Sequence, residues 1–189
     1  MSDLQSIIDA LSSPRVPLAA SLPTLPPKPG LYAIWPDRES SADLGLDDLP
    51  ESIPLYVGKA EDSIVTRDIN THFCVGRTGS STVRRSFAAL LRERLDLRGM
   101  PRNPSKPGYF ANYGLSSRDD EKLTAWMRSH LQLAIWIADG ERKLEDVERD
   151  VLRFWQPPIN IAGVTHRWRA DVRQARKAMA DQARAWTPE

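Results

Sequence analysis

Apolar residues recur at helical spacing from the first positions, where Leu4, Ile7, Ile8 and Leu11 share one face. That spacing predicts a short amphipathic helix that docks on the body or on another chain. Periodicity then gives way to six prolines between Pro14 and Pro29, which predicts an extended arm leading into the folded body. Leu31-Tyr32-Ala33-Ile34-Trp35, stopped by Pro36, and Pro54-Leu55-Tyr56-Val57-Gly58 are short apolar and aromatic runs that read as antiparallel strands. With a period of two, Tyr32 and Ile34 share one face of the first strand, and Tyr56 and Gly58 share one face of the second. The two tyrosines then lie side by side. Between them, residues 36–52 carry Asp37, Glu39, Asp43, Asp47, Asp48 and Glu51 against Arg38, which predicts an exposed acidic loop that would repel a nucleic-acid backbone.

The pattern from Ser63 to Phe73 fits a short helix. Ser81 then caps a longer one, whose stripe is Val83, Phe87, Leu90, Leu91 and Leu95 and whose stop is Gly99. Residues 101–117 are rich in proline, glycine and asparagine and read as loop. A helix over 118–129, a strand over 131–138, a helix over 141–155 and a basic helix over 165–186 follow. The order strand, strand, helices, strand, helix predicts an α+β sandwich with an antiparallel sheet. Three segments are expected: a helix and proline-rich arm over 1–27, a main domain over 28–163 and a basic C-terminal helix over 164–189.

A chain of 189 residues suits one domain with additions. With 26 Lys+Arg against 25 Asp+Glu, the net charge names no partner. Cys74 stands alone, which excludes an internal disulfide and a zinc site built on paired thiolates. The start lacks the features of a secretory signal, and the longest apolar run is far shorter than the roughly 20 residues of a membrane span. The expectation is a cytoplasmic protein with no membrane partner.

Local patterns carry the chemistry. In the helix over 141–155 the stripe Leu144, Val147, Val151, Leu152 and Trp155 includes one carboxylate, Glu148. A carboxylate on an apolar face calls for a partner. Glu148 therefore reads either as half of an ion pair with an arginine or as a ligand to a hard metal ion, since Mg²⁺ often takes only one or two protein carboxylates. From Arg67 to Lys106 nine Lys/Arg stand against three acids, the footprint of a face for a polyanion. Within it, Arg84 and Arg85 follow the loop Gly76-Arg77-Thr78-Gly79-Ser80-Ser81 at a helix start, where free N–H groups favour anions. His72 reads as a proton acceptor or as a capping and packing residue.

These residues resemble the GIY-YIG nuclease family. Its two naming motifs match Gly30-Leu31-Tyr32 and Tyr56-Val57-Gly58, each with an aliphatic swap in the middle. Tyr56-Val57-Gly58-Lys59-Ala60 is similar to the nuclease subunit of bacterial excision repair, and the segment from Glu148 to Asn160 resembles the family's closing glutamate-to-asparagine segment. The resemblance spans roughly residues 28–163. It implies a three-stranded antiparallel sheet flanked by helices and a DNA endonuclease dependent on a single Mg²⁺ or Mn²⁺ held by Glu148. It also implies that Tyr32 and Tyr56 border the attacking water, that Lys59 and an arginine contact the substrate, and that Asn160 braces the substrate site. The family arginine falls on Arg67 with one extra residue of spacing, and His72 follows five places later where the family has four; Arg84 or Arg85 takes that role if the intervening segment is an insertion. A partner protein would supply targeting. The rival reading is a nucleic-acid-binding or interaction module that does not cut.

Overall fold

The computed structural model describes residues 3–21, 25–65 and 70–187. Helix α1 (Leu4–Ser12) leads to a short strand β1 (Val16–Pro17) and a single turn α2 (Leu18–Ser21). Strand β2 (Gly30–Pro36), the turn α3 (Ser40–Asp43) and strand β3 (Tyr56–Ala60) follow, and then the turn α4 (Asn70–Phe73) and helix α5 (Thr82–Leu90). Helix α6 (Ser117–His130) runs directly into strand β4 (Leu131–Ile137), and helices α7 (Leu144–Trp155) and α8 (Arg169–Ala185) close the chain.

The sheet has four antiparallel strands in the order β1-β4-β2-β3. The expected three are β2, β3 and β4; the fourth is β1, which pairs Val16 with Leu133 along the outer edge of β4. The proline-rich segment is therefore partly built into the sheet. Pro17 is tolerated because an edge strand needs to satisfy only one side of the ladder.

Both faces of the sheet are covered, which is why β2 and β4 read as near-continuous apolar runs. On one face Tyr32, Ile34 and Leu133 pack with Phe87 of α5, Leu123 and Met127 of α6, and Met179 of α8. On the other, Leu31, Ala33, Trp35 and Val57 pack with Ile7, Ile8 and Leu11 of α1 and Val147, Val151 and Trp155 of α7. Trp35 joins the two helices: its ring meets Trp155 edge-on at 5.6 Å and its Nε1 donates to the Leu11 carbonyl at 2.9 Å. Helix α1 therefore docks on the body.

The acidic connection is held against the body more tightly than an exposed loop would be. Leu44 and Leu46 are buried. Asp37 bonds His130 at 2.9 Å, Asp43 accepts from Trp126 Nε1 and pairs with Arg94, and Asp48 pairs with Arg167. Among the described residues no helix is long and apolar enough to cross a membrane.

Candidate active site

The register of the sheet places Tyr32 opposite Gly58 and Ile34 opposite Tyr56. Tyr32 and Tyr56 thus face the same side on a diagonal, with ring centroids 6.2 Å apart. His72 of α4 completes a triangle, 6.2 Å from Tyr32 and 6.5 Å from Tyr56. Gly58 makes this packing possible: a Cβ there would overlap the Tyr32 phenol and come within 2.8 Å of Tyr56 Cε1. Tyr32 is 1% exposed, whereas Tyr56 is half-buried and so opens onto solvent.

His72 is tuned from below. Burial, and secondarily the positive charge of Arg84, pushes its imidazole down to about 4, so the ring is neutral at pH 7. Its Nδ1 lies 2.7 Å from Ser81 Oγ, the same oxygen that caps α5 by accepting from the Arg84 N–H at 3.1 Å. The cap expected at Ser81 is present, and it also holds the histidine.

Arg84 and Arg85 require a correction as substrate-binding candidates. Arg84 is fully buried. Its guanidinium pairs with Asp120 at 2.9 Å and donates to Thr124 Oγ1 at 2.8 Å, Thr78 Oγ1 at 3.1 Å and the His72 carbonyl at 3.0 Å. Asp120 also accepts from the Gly76 N–H and the Thr78 hydroxyl. Those donors are turned inward onto a carboxylate of the protein itself, so Arg84 shapes the backbone under His72 and has no free edge for a phosphate. Arg85 is 6% exposed and gives its terminal nitrogens to the carbonyls of Thr78 and Gly79 and to Thr82 Oγ1. Arg67 lies outside the described residues.

Asn160, expected to brace the substrate site, is placed as a brace of β3 itself. It is 8% exposed, and both ends of its amide are spent on one residue of β3: Oδ1 accepts from the Val57 N–H at 2.9 Å and Nδ2 donates to the Val57 carbonyl at 2.8 Å. The Ile159 N–H adds a bond to the Leu55 carbonyl at 2.9 Å. The outer edge of β3 is thereby satisfied as a neighbouring strand would satisfy it.

Glu148 stands half-buried at the margin of the α7 stripe, whose centre is Val147, Val151, Leu152 and Trp155. The helix that carries it packs on the face of the sheet to which Val57 points. Lys59 pairs with Glu61 at 2.9 Å, and that bond first, with the charge of Glu148 behind it, holds its ammonium above the usual lysine range. Along β3, Tyr56 and Gly58 therefore face one way and Val57 and Lys59 the other.

No three His, Cys, Asp or Glu side chains are grouped to hold a metal among the described residues. A single half-exposed carboxylate is a poor match for zinc, which takes four ligands from a closed set. It does suit Mg²⁺ or Mn²⁺, which keep most of their waters.

A buried residue that sequence reasoning missed is Asp120. It shares the first turn of α6 with Asp119, where an acid beside a helix N-terminus needs no further reason. Its partner Arg84 is too distant in sequence for any local pattern to join them.

Comparison with known families gives one result. A family model described as the GIY-YIG catalytic domain matches residues 30–178. No curated protein and no solved structure gives a significant match.

Proposed function

Because the chain belongs to the GIY-YIG family, a family of nucleases, we propose that it is a DNA endonuclease that uses a divalent metal ion to hydrolyse phosphodiester bonds. The observation that carries this reading is the packing of Tyr32, Tyr56 and His72 across a glycine in the family's own motif. An apolar core has no need of three hydrogen-bonding rings at one point.

In this reading Tyr56, the phenol open to solvent, orients the attacking water and accepts its hydrogen bond, and the sealed Tyr32 fixes the angle of Tyr56 across Gly58. His72, neutral and with its Nδ1 taken by Ser81, offers only its other ring nitrogen as a hydrogen-bonding group beside the phenols. Lys59 lies against the phosphate from the other face of β3, and Arg67 is proposed as the arginine that neutralises its non-bridging oxygens. Glu148 is the residue that would hold Mg²⁺ or Mn²⁺, and the ion supplies Lewis-acid stabilisation of the charge developing on the phosphate oxygens. Asn160 contributes by keeping β3 flat and in register.

The test is nicking of supercoiled plasmid with Mg²⁺ or Mn²⁺ by the wild type and by Glu148→Ala. Loss of nicking in the variant, with duplex binding retained, is expected. Equal nicking by both removes Glu148 from the mechanism. The burial of Tyr32 is the observation that favours binding without cutting, and a wild type that binds but never nicks with either ion would establish that alternative.

A further inference from the structure

Six basic residues lie between Arg167 and Arg184, and the structure divides them into two sets. Arg167 is paired with Asp48, while Lys177 and Arg184 both close on Asp181. Arg169, Arg173 and Arg176 have no carboxylate partner among the described residues. Their spacing of four and then three puts them on one stripe of α8, spanning about 10 Å at about 1.5 Å per residue.

The stripe is anchored at both ends. Arg169 Nε donates to the Ile161 carbonyl at 3.3 Å, and Ile161 directly follows the asparagine that clamps Val57 in β3. At the far end Arg176 reaches Ser86 on α5, at 3.4 Å. Beside the stripe a groove of about 440 Å³ is floored by Ala111, Ile161 and Ala180, with Arg173 and Arg176 on its wall and the Lys177–Asp181–Arg184 cluster along its other side.

Beneath the far end lies more uncompensated charge. Arg85 is 6% exposed, its Nε has no partner, and the side chain of Arg102 lies against Gly79, whose carbonyl Arg85 holds. Burial, and then the charges of Arg176 and Arg102, pull the Arg85 guanidinium down to about 10. Tyr113 donates to the Arg85 carbonyl at 2.5 Å and brings no negative charge, because burial raises its phenol. Cations held this close without an acid are stabilised by an external anion.

We infer that the Arg169–Arg173–Arg176 stripe of α8 is a binding track for the phosphodiester backbone of DNA, continuous with the edge of β3 and gripping the strand that flanks the point of cleavage. The inference rests on the reading that DNA is the substrate, and adds where the backbone runs. At about 3.4 Å of rise per nucleotide the stripe matches about three successive phosphates.

The experiment measures binding rather than cutting. A fluorescein-labelled duplex of about 20 base pairs is titrated with wild type, Arg173→Gln, Arg173→Gln/Arg176→Gln and the control Arg98→Gln/Arg153→Gln, from about 50 to about 200 mM KCl. Each lost phosphate contact lowers the slope of log affinity against log salt by about 0.9, so the stripe pair is expected to lower it by about 2 and Arg173→Gln by about 1. The control pair, whose charges are committed to Asp96 and Asp150 and which lies outside the groove, is expected to change it by less than half as much. An unchanged slope in Arg173→Gln, an equal change in the control, or no wild-type binding overturns the track. Arg173 is exposed, so this single variant stays informative if the double variant fails a thermal-melt check. Plasmid nicking separates the two readings. Nicking with an unchanged slope leaves the nuclease and removes the track, and a lowered slope with no nicking does the reverse.

Discussion

Asp120→Ala is the most demanding test of the architecture under His72. Asp120 is 2% exposed and Arg84 fully buried, so the variant leaves a guanidinium in the core with only dipoles for company. It also strips the acceptor from the Gly76 N–H and the Thr78 hydroxyl. Breaking one side of a buried pair costs about 3–5 kcal/mol. For a chain of this size that corresponds to a fall of about 6–20 °C in melting temperature. The double variant Arg84→Met/Asp120→Leu removes both charges and both desolvation costs, so it should be far less unstable than the sum of the single variants. Urea denaturation of the wild type, Arg84→Met, Asp120→Leu and the double variant closes the cycle, and a coupling of at least about 2 kcal/mol is expected. Strict additivity, or a loss below about 1 kcal/mol in Asp120→Ala, would refute the claim that this pair is dry and mutually dependent. The cycle also bears on the site. Arg84 holds the His72 carbonyl, so the double variant should lose nicking even where it is folded.

Three further outcomes follow from particular contacts. Gly58→Ala forces a methyl into the Tyr32 phenol and should cost about 1–3 kcal/mol by overpacking and abolish nicking, both measurable on one preparation; full activity would show that the tyrosines do not need their present angle. Asn160→Ala leaves the Val57 N–H and carbonyl without partners on a buried edge and should cost about 2–4 kcal/mol by chemical denaturation. His72 has a folded value of about 4 against an ordinary 6.5, so the unfolded chain binds the extra proton. Its contribution is therefore complete above about pH 6.5 and lost as pH falls toward 4, by about 3 kcal/mol, and His72→Gln should flatten that part of the stability profile.

Much of the fold was legible because its signals are local. Alternation in 31–35 and 54–58, the proline after Trp35 and the serine before Thr82 each act over a few residues, and the strands and the capped helix stand where those signals lie. Strand β1 was not legible, since two residues in a proline-rich stretch carry no alternation and their order comes from pairing with Leu133, more than a hundred positions away. Among the candidate site residues, the tyrosines were visible through their motif and Glu148 through its place in an apolar stripe. Arg84 was misjudged as a surface cation because charge patterns carry no record of burial. Only its distant partner, Asp120, explains why a guanidinium is stable there. Asn160 was expected at the site but not as a strand surrogate, because an amide that mimics a backbone looks in sequence like any other polar residue.

The docking of α1 and β1 bears on where this protein can be cut. The family match starts at residue 30, yet Ile7, Ile8 and Leu11 close the core under Trp35 and Trp155, and Val16 covers the flank of β4. A fragment trimmed to the matched segment would bare two tryptophans and an unprotected hydrogen-bonding edge, the recipe for self-association in a bacterial lysate or a test tube. The stretch that evolution keeps recognisable and the stretch that stands alone in solution are thus of different lengths, and preparations of this nuclease need the longer one.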